Sequence, residues 1–138
     1  MDKSHPGFNK NAEPFFAIIR QGLCNAVDGE HFWDTIAENA VFEFRYAIPG
    51  FTSRIEGRDK YMDWFAGYSI VLYAADNLRI HTATDGKTII MEYEVHGTAP
   101  ETGKPYDNRF CSIVTIKNRK ISFWRDYMDS LAVTALAQ

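Results

Sequence analysis

Cysteine is scarce in this sequence: Cys24 and Cys111 are the only two, far apart and in no metal or redox spacing. That excludes a disulfide-stapled scaffold and leaves two free thiols, as suits a reducing cytoplasm. Histidine is nearly as sparse. His31, His81 and His96 show no i, i+4 pairing or clustering, so no metal site is expected. Positive charge forms no long run or stripe, and 15 Lys and Arg against 18 Asp and Glu leave a net charge of −3. Without a basic stripe there is no electrostatic footprint for nucleic acid. No apolar stretch approaches the length of a membrane-spanning helix. Met1–Pro6 carries no hydrophobic signal region, so the expected location is cytoplasmic. Repeats, low-complexity tracts and linkers are missing as well, which excludes repeat arrays and a second domain.

What is plentiful is large and apolar. Of the 138 residues 46% are hydrophobic, with ten Phe and seven Tyr, enough for one core rich in rings or a pocket lined by them. Residues 1–10 are polar, contain Pro6 and Gly7, and read as a flexible N-terminus; residues 11–138 read as a single domain. Asn11 can cap a helix with Pro14 in its first turn, and Phe15, Ile19, Leu23 and Ala26 recur at helical spacing. Asp28-Gly29 breaks it, and a short second helix is predicted over 31–38. The period then becomes two: Phe42, Phe44 and Tyr46 share one face of a strand, Glu43 and Arg45 the other. A loop over 49–57 leads to a third helix over 58–68, where Tyr61, Trp64, Phe65 and Tyr68 form an i, i+3, i+4, i+7 stripe. Four long antiparallel strands follow, over 70–84, 87–98, 105–116 and 120–129, each ended by turn residues, with a last helical turn over 131–136. This order predicts an α+β fold with the helices on one face of a sheet. A curved sheet would leave a ring-lined concavity under those helices, the default place for a ligand.

Three segments carry a resemblance: Glu92-Tyr93-Glu94-Val95-His96-Gly97-Thr98, Thr102 to Phe110, and Ile121 to Asp129 with its Trp124-Arg125-Asp126-Tyr127-x-Asp129 run. They resemble the last three strands of the SnoaL-like branch of the ketosteroid-isomerase/NTF2-like superfamily. The final run is especially similar to the limonene-epoxide-hydrolase branch. The resemblance covers about residues 11–132. It implies a cone-shaped α+β roll, three N-terminal helices packed on a strongly curved antiparallel sheet. Isomerases, epoxide hydrolases, polyketide cyclases, dehydratases and non-catalytic transport factors share that fold, so fold alone does not select an activity.

Two activities of the superfamily are tested by position. The epoxide hydrolases use an Asp-Arg-Asp set with a Tyr and an Asn. Their late-strand Asp matches Asp126, but the Tyr and Asn positions match Phe42 and Phe44. Their Arg-x-Asp pair falls on Tyr93 and Val95 in one register and on Glu92 and Glu94 in the other; a one-residue slip exchanges the two faces. The isomerase base position matches Phe44, and its oxyanion Asp falls near Ser112. Neither standard activity is expected.

Asp126 remains, on the inward alternation Trp124, Asp126, Met128. A carboxylate among apolar neighbours has a raised pKa unless a partner holds it. Asn108, at the parity of Phe110 and Ser112, and Tyr93 are the candidate partners. The catalytic candidates are therefore Asp126, Asn108 and Tyr93. The candidate ligand wall is Phe16, Ile19, Phe42, Phe44, Trp64, Tyr68, Phe110, Ser112, Trp124 and Met128. Structural alternatives stand beside these: a salt bridge from Asp126 to Arg109 or Arg45, Asn108 as a satisfied core amide, and Glu94 as a rival acid in the other register. The expected function is cofactor-free general acid–base chemistry on a small, mostly hydrophobic molecule: isomerisation, cyclisation, dehydration or hydration. The alternative is a non-catalytic module for a hydrophobic ligand or a protein. The resemblance also implies a homodimer formed through the outer sheet face.

Overall fold

The computed structural model describes residues 3–137. Helix α1 (Ala12–Leu23) is followed by a 3-10 turn (Trp33–Thr35), strands β1 (Ile36–Phe44) and β2 (Arg54–Glu56), and helix α2 (Arg58–Ala66). Strands β3 (Val71–Thr82), β4 (Thr88–Thr98), β5 (Pro105–Lys117) and β6 (Lys120–Met128) then form a meander, and α3 (Ser130–Thr134) follows. One six-stranded sheet results, in the order β2-β1-β6-β5-β4-β3. It is the expected α+β architecture, a curved sheet with helices against its inner face.

Four details differ from the sequence reading. The second helix is replaced by a single 3-10 turn, and Ile36 is already extended. Its apolar spacing is helical, but Ile36 is claimed by pairing with Ile121 across β1 and β6. That pairing is parallel, whereas an all-antiparallel sheet was expected. The meander returns its last strand beside β1 running the same way. The loop over 49–57 contains β2, a three-residue strand too short to show a period. The structure does have three α-helices, but the third is C-terminal, with the Asp129 carboxylate accepting from the Leu131 N–H at 3.0 Å.

Asn11 does not cap α1 with its side chain. Its amide instead donates to the Ile70 carbonyl and accepts from the Leu72 N–H, both at 2.8 Å, which staples the start of α1 to β3. The segment before α1 makes contacts with the rest of the chain: the Trp33 indole N–H donates to the Gly7 carbonyl at 3.0 Å, and His5 meets Asp63 at 2.7 Å. Met1 and Asp2 lie outside the described residues.

Phe15, Ile18, Ile19 and Leu23 are the buried face of α1, packed on β3 and β4. Register shifts interrupt β1, twice β3, and the β5–β6 ladder. Bulges of this kind bend and twist strands. At Gly97, opposite Leu72, an added Cβ would lie 2.4 Å from the Val71 carbonyl oxygen, so only glycine admits the bulged β3 this close.

Candidate functional site

Asp126 pairs with Ser112 on β5 and with Phe44 on β1, at the centre of the inner sheet face, and is 5% exposed. The Ser112 hydroxyl donates to its Oδ1 at 2.5 Å. Trp124, two residues earlier on the same face of β6, donates its indole N–H to the same oxygen. Among the described residues, Oδ2 is served only by the Tyr46 hydroxyl, at 3.2 Å. Because Ser112 gives its proton to Asp126, the Tyr93 hydroxyl, 2.8 Å from Ser112 Oγ, is the donor in that pair. A relay runs Tyr93 to Ser112 to Asp126.

Among the described residues, no lysine, arginine or histidine forms an ion pair with Asp126. Arg109 is exposed on the outer face opposite Glu94, and Arg45 gives only its backbone N–H to the Asp126 carbonyl, at 2.9 Å. The salt-bridge alternative is therefore not realised. Burial pushes the Asp126 carboxyl up to about 6, against the three hydrogen bonds that favour its charged form. Burial, and after it the Asp126 charge, hold the Tyr46, Tyr61 and Tyr93 phenols far above their ordinary value, so they remain donors.

Asn108 does not partner Asp126. Its amide donates to the Tyr106 hydroxyl at 2.8 Å and to Met128 Sδ at 3.4 Å, while its oxygen accepts from the N–H groups of Arg109 and Asp129 at 2.8 and 3.1 Å. It is a satisfied amide tying β5 to the end of β6. The register around Tyr93 is settled by its pairing with Phe110: Tyr93 is buried inside, Glu92 and Glu94 face out, and Glu94 meets the Asn77 amide.

A cavity of about 240 Å³ opens in front of Asp126. Five of the ten expected wall residues line it: Phe44, Trp64, Tyr68, Phe110 and Met128. Ile19 and Phe42 are buried core instead, Phe42 against Tyr61 with centroids 3.9 Å apart. Ser112 and Trp124 sit behind the carboxylate they hold. Phe16 is half-buried away from the cavity, beneath the Arg20 guanidinium. The wall also includes Phe15, Tyr46, Phe51, Tyr61, Phe65, Ile70 and Val133. Tyr46 was visible as the next inward position after Phe44, and Tyr61 and Phe65 as the α2 stripe. Phe51, Ile70 and Val133 lie in irregular segments or at an element end and left no periodic signal.

A carboxyl of intermediate pKa at the floor of an apolar cavity, one oxygen pinned and the other lightly held, is a proton-transfer arrangement. The sequence profile of the SnoaL-like domain matches residues 18–124. The chain belongs to the SnoaL-like family. This SnoaL-like chain is 36% identical to the uncharacterized protein YesE of Bacillus subtilis (strain 168) over 103 residues, 73% of the chain and 68% of the relative. The structure is similar to that of a candidate isomerase from Bacillus subtilis, with TM-score 0.73 and 28% identity over 98% of this chain and 94% of the other. An NTF2-like protein from Anabaena variabilis ATCC 29413 shares the fold, with TM-score 0.58 and 23% identity over 94% of each chain. Among the described residues no helix is long and apolar enough to cross a membrane.

Proposed function

We propose that this chain binds a small, mostly hydrophobic molecule in the ring-lined cavity and moves a proton on it without a cofactor, with Asp126 as the acid–base group. The observation that carries this reading is a buried carboxylate that has, among the described residues, three hydrogen-bond donors but no cationic partner, and that borders a cavity. A purely structural carboxylate at such a place would be costly. Ser112 and Trp124 fix Oδ1, so Oδ2 takes or returns the proton. The Tyr46 hydroxyl, beside Oδ2, turns to a carbonyl or hydroxyl oxygen of the ligand and stabilises the charge that develops there. Isomerisation, cyclisation, dehydration and hydration all need this pair of acts. The second reading is a binding module, favoured by Phe44, an inert ring in the cavity wall beside Asp126.

The test is deuterium wash-in beside the carbonyl of small cyclic ketones that bind the protein, followed by NMR in D2O. The expected result is catalysed exchange that rises as pH passes about 6 and the base form accumulates, and that disappears in Asp126→Asn. Exchange at the solvent rate for every ketone that binds would leave the binding module.

A further inference from the structure

Among the described residues, Asp126 is the one acidic side chain in the cavity wall, and no lysine, arginine or histidine lines that wall with it. Its three hydrogen-bond partners are neutral donors. They spread the charge but do not cancel it, and a buried carboxylate gains most from an opposite charge brought into the same low-dielectric space. The surroundings suit such a charge. Trp64 stacks at 4.8 Å on Phe44 and at 5.7 Å on Tyr61, and Tyr46, Phe51 and Tyr68 complete a wall of rings. Ring faces carry negative potential and attract cations, with Trp the strongest. An anion would meet Asp126 directly, and a neutral hydrocarbon would leave it unpaired.

We infer that this cavity takes a small organic cation: a quaternary or protonated amine whose apolar substituents fill the ring-lined space while its nitrogen stands over Asp126 Oδ2. The inference rests on the cavity being a ligand site, and does not depend on proton transfer occurring there. The net charge of −3 draws the same class of ligand from solution. The cavity, about 240 Å³, restricts the choice to compact ammonium groups.

The experiment compares choline with neohexanol, its uncharged carbon isostere, by calorimetric titration and by fluorescence of the tryptophans on the full chain. At pH 8 choline is expected to bind at least about tenfold more tightly than neohexanol. The preference should fall toward parity as pH drops through about 6 and Asp126 takes up its proton. The groups facing that carboxylate are phenols, a hydroxyl and an indole, which do not titrate in this range. Asp126→Asn should abolish the preference while still binding neohexanol. The wild-type pH series supplies the same test if that variant does not fold. Equal or weaker binding of choline at pH 8, no binding of either, or a preference unchanged by pH would overturn the inference. Ketone exchange with no choline preference would remove this inference alone, and choline preference without ketone exchange would remove only the proton-transfer reading.

Discussion

The two faces of the same sheet treat charge in opposite ways. On the outer face, His96 of β4 is held between Asp107 of β5 at 2.5 Å and Asp76 of β3 at 2.8 Å, and His81 meets Glu92 at 2.6 Å. These three acids each have a histidine partner, and the pairs lie in or near solvent. On the inner face, one residue's step along the pleat, β6 buries Asp126 with no partner of opposite sign among the described residues. The outer pairs are worth little, because water already solvates and screens them. The inner carboxylate costs the fold more, because it is buried and none of the described residues brings a cation to it. An arrangement that weakens the fold calls for a reason other than stability, and that contrast is why the proposed site is placed on the inner face.

The largest effect that tests this contrast is on chemistry. Asp126→Asn keeps the shape and the ability to accept from Ser112 and Trp124, and should lower any ketone exchange by about 10²–10⁴-fold. Wild-type rates in the variant would end the case for an inner-face acid–base group.

Next comes stability against pH. The folded-state pKa of Asp126 lies above its unfolded value, so the native chain binds the extra proton. Stability from this group is greatest below about pH 4, falls by about 3 kcal/mol as pH rises to about 6, and is level above that. Asp126→Asn should therefore be more stable than wild type by up to about 3 kcal/mol at pH 8, with the difference closing toward pH 4, as read by urea denaturation. A variant several kcal/mol less stable at pH 8 would mean that the carboxylate is structural after all.

Ser112→Ala should act more modestly. It removes a donor to Oδ1 and leaves the buried Tyr93 hydroxyl without its acceptor, costing about 1–3 kcal/mol. It should also move the Asp126 titration further upward, which carboxyl carbon NMR would follow; an unmoved titration would show that Ser112 does not hold the charge.

The smallest effect belongs to the outer face. The Asp107 and Asp76 carboxylates hold His96 above its ordinary value. Its contribution is thus complete below about pH 6.5 and fades as pH rises through the raised folded value. Asp107→Asn should bring the imidazole titration back down by NMR and change stability by less than about 1 kcal/mol. A larger loss would show that the outer pairs matter as much as the inner carboxylate.

Much of this was legible in the residues. The stripe in α2, the inward parity of Phe42, Phe44 and Tyr46, and the alternation Trp124, Asp126, Met128 each express a local period, and each fell where that period put it. The failures share a cause. Residues 31–38 have helical spacing, but Ile36 is drawn into β1 by a strand 85 positions later in the chain. Asn108 has the parity of an Asp126 partner, yet bonds to Tyr106, Met128 and two backbone N–H groups, none of which a period reveals. Glu92-Tyr93-Glu94 can face either way until a neighbouring strand chooses.

By itself the sequence determined that an α+β core would form, that rings would crowd its inner face, and that a single late carboxylate would turn toward them. These follow from the spacing of side chains along a helix or strand, which the chain carries within a few residues. Only the tertiary structure decided that β6 lies parallel to β1, that Ser112, Trp124 and Tyr46 are the groups that reach Asp126, and that no cation among the described residues does. Those are meetings between distant segments, settled by pairing register and by what else competes for each donor.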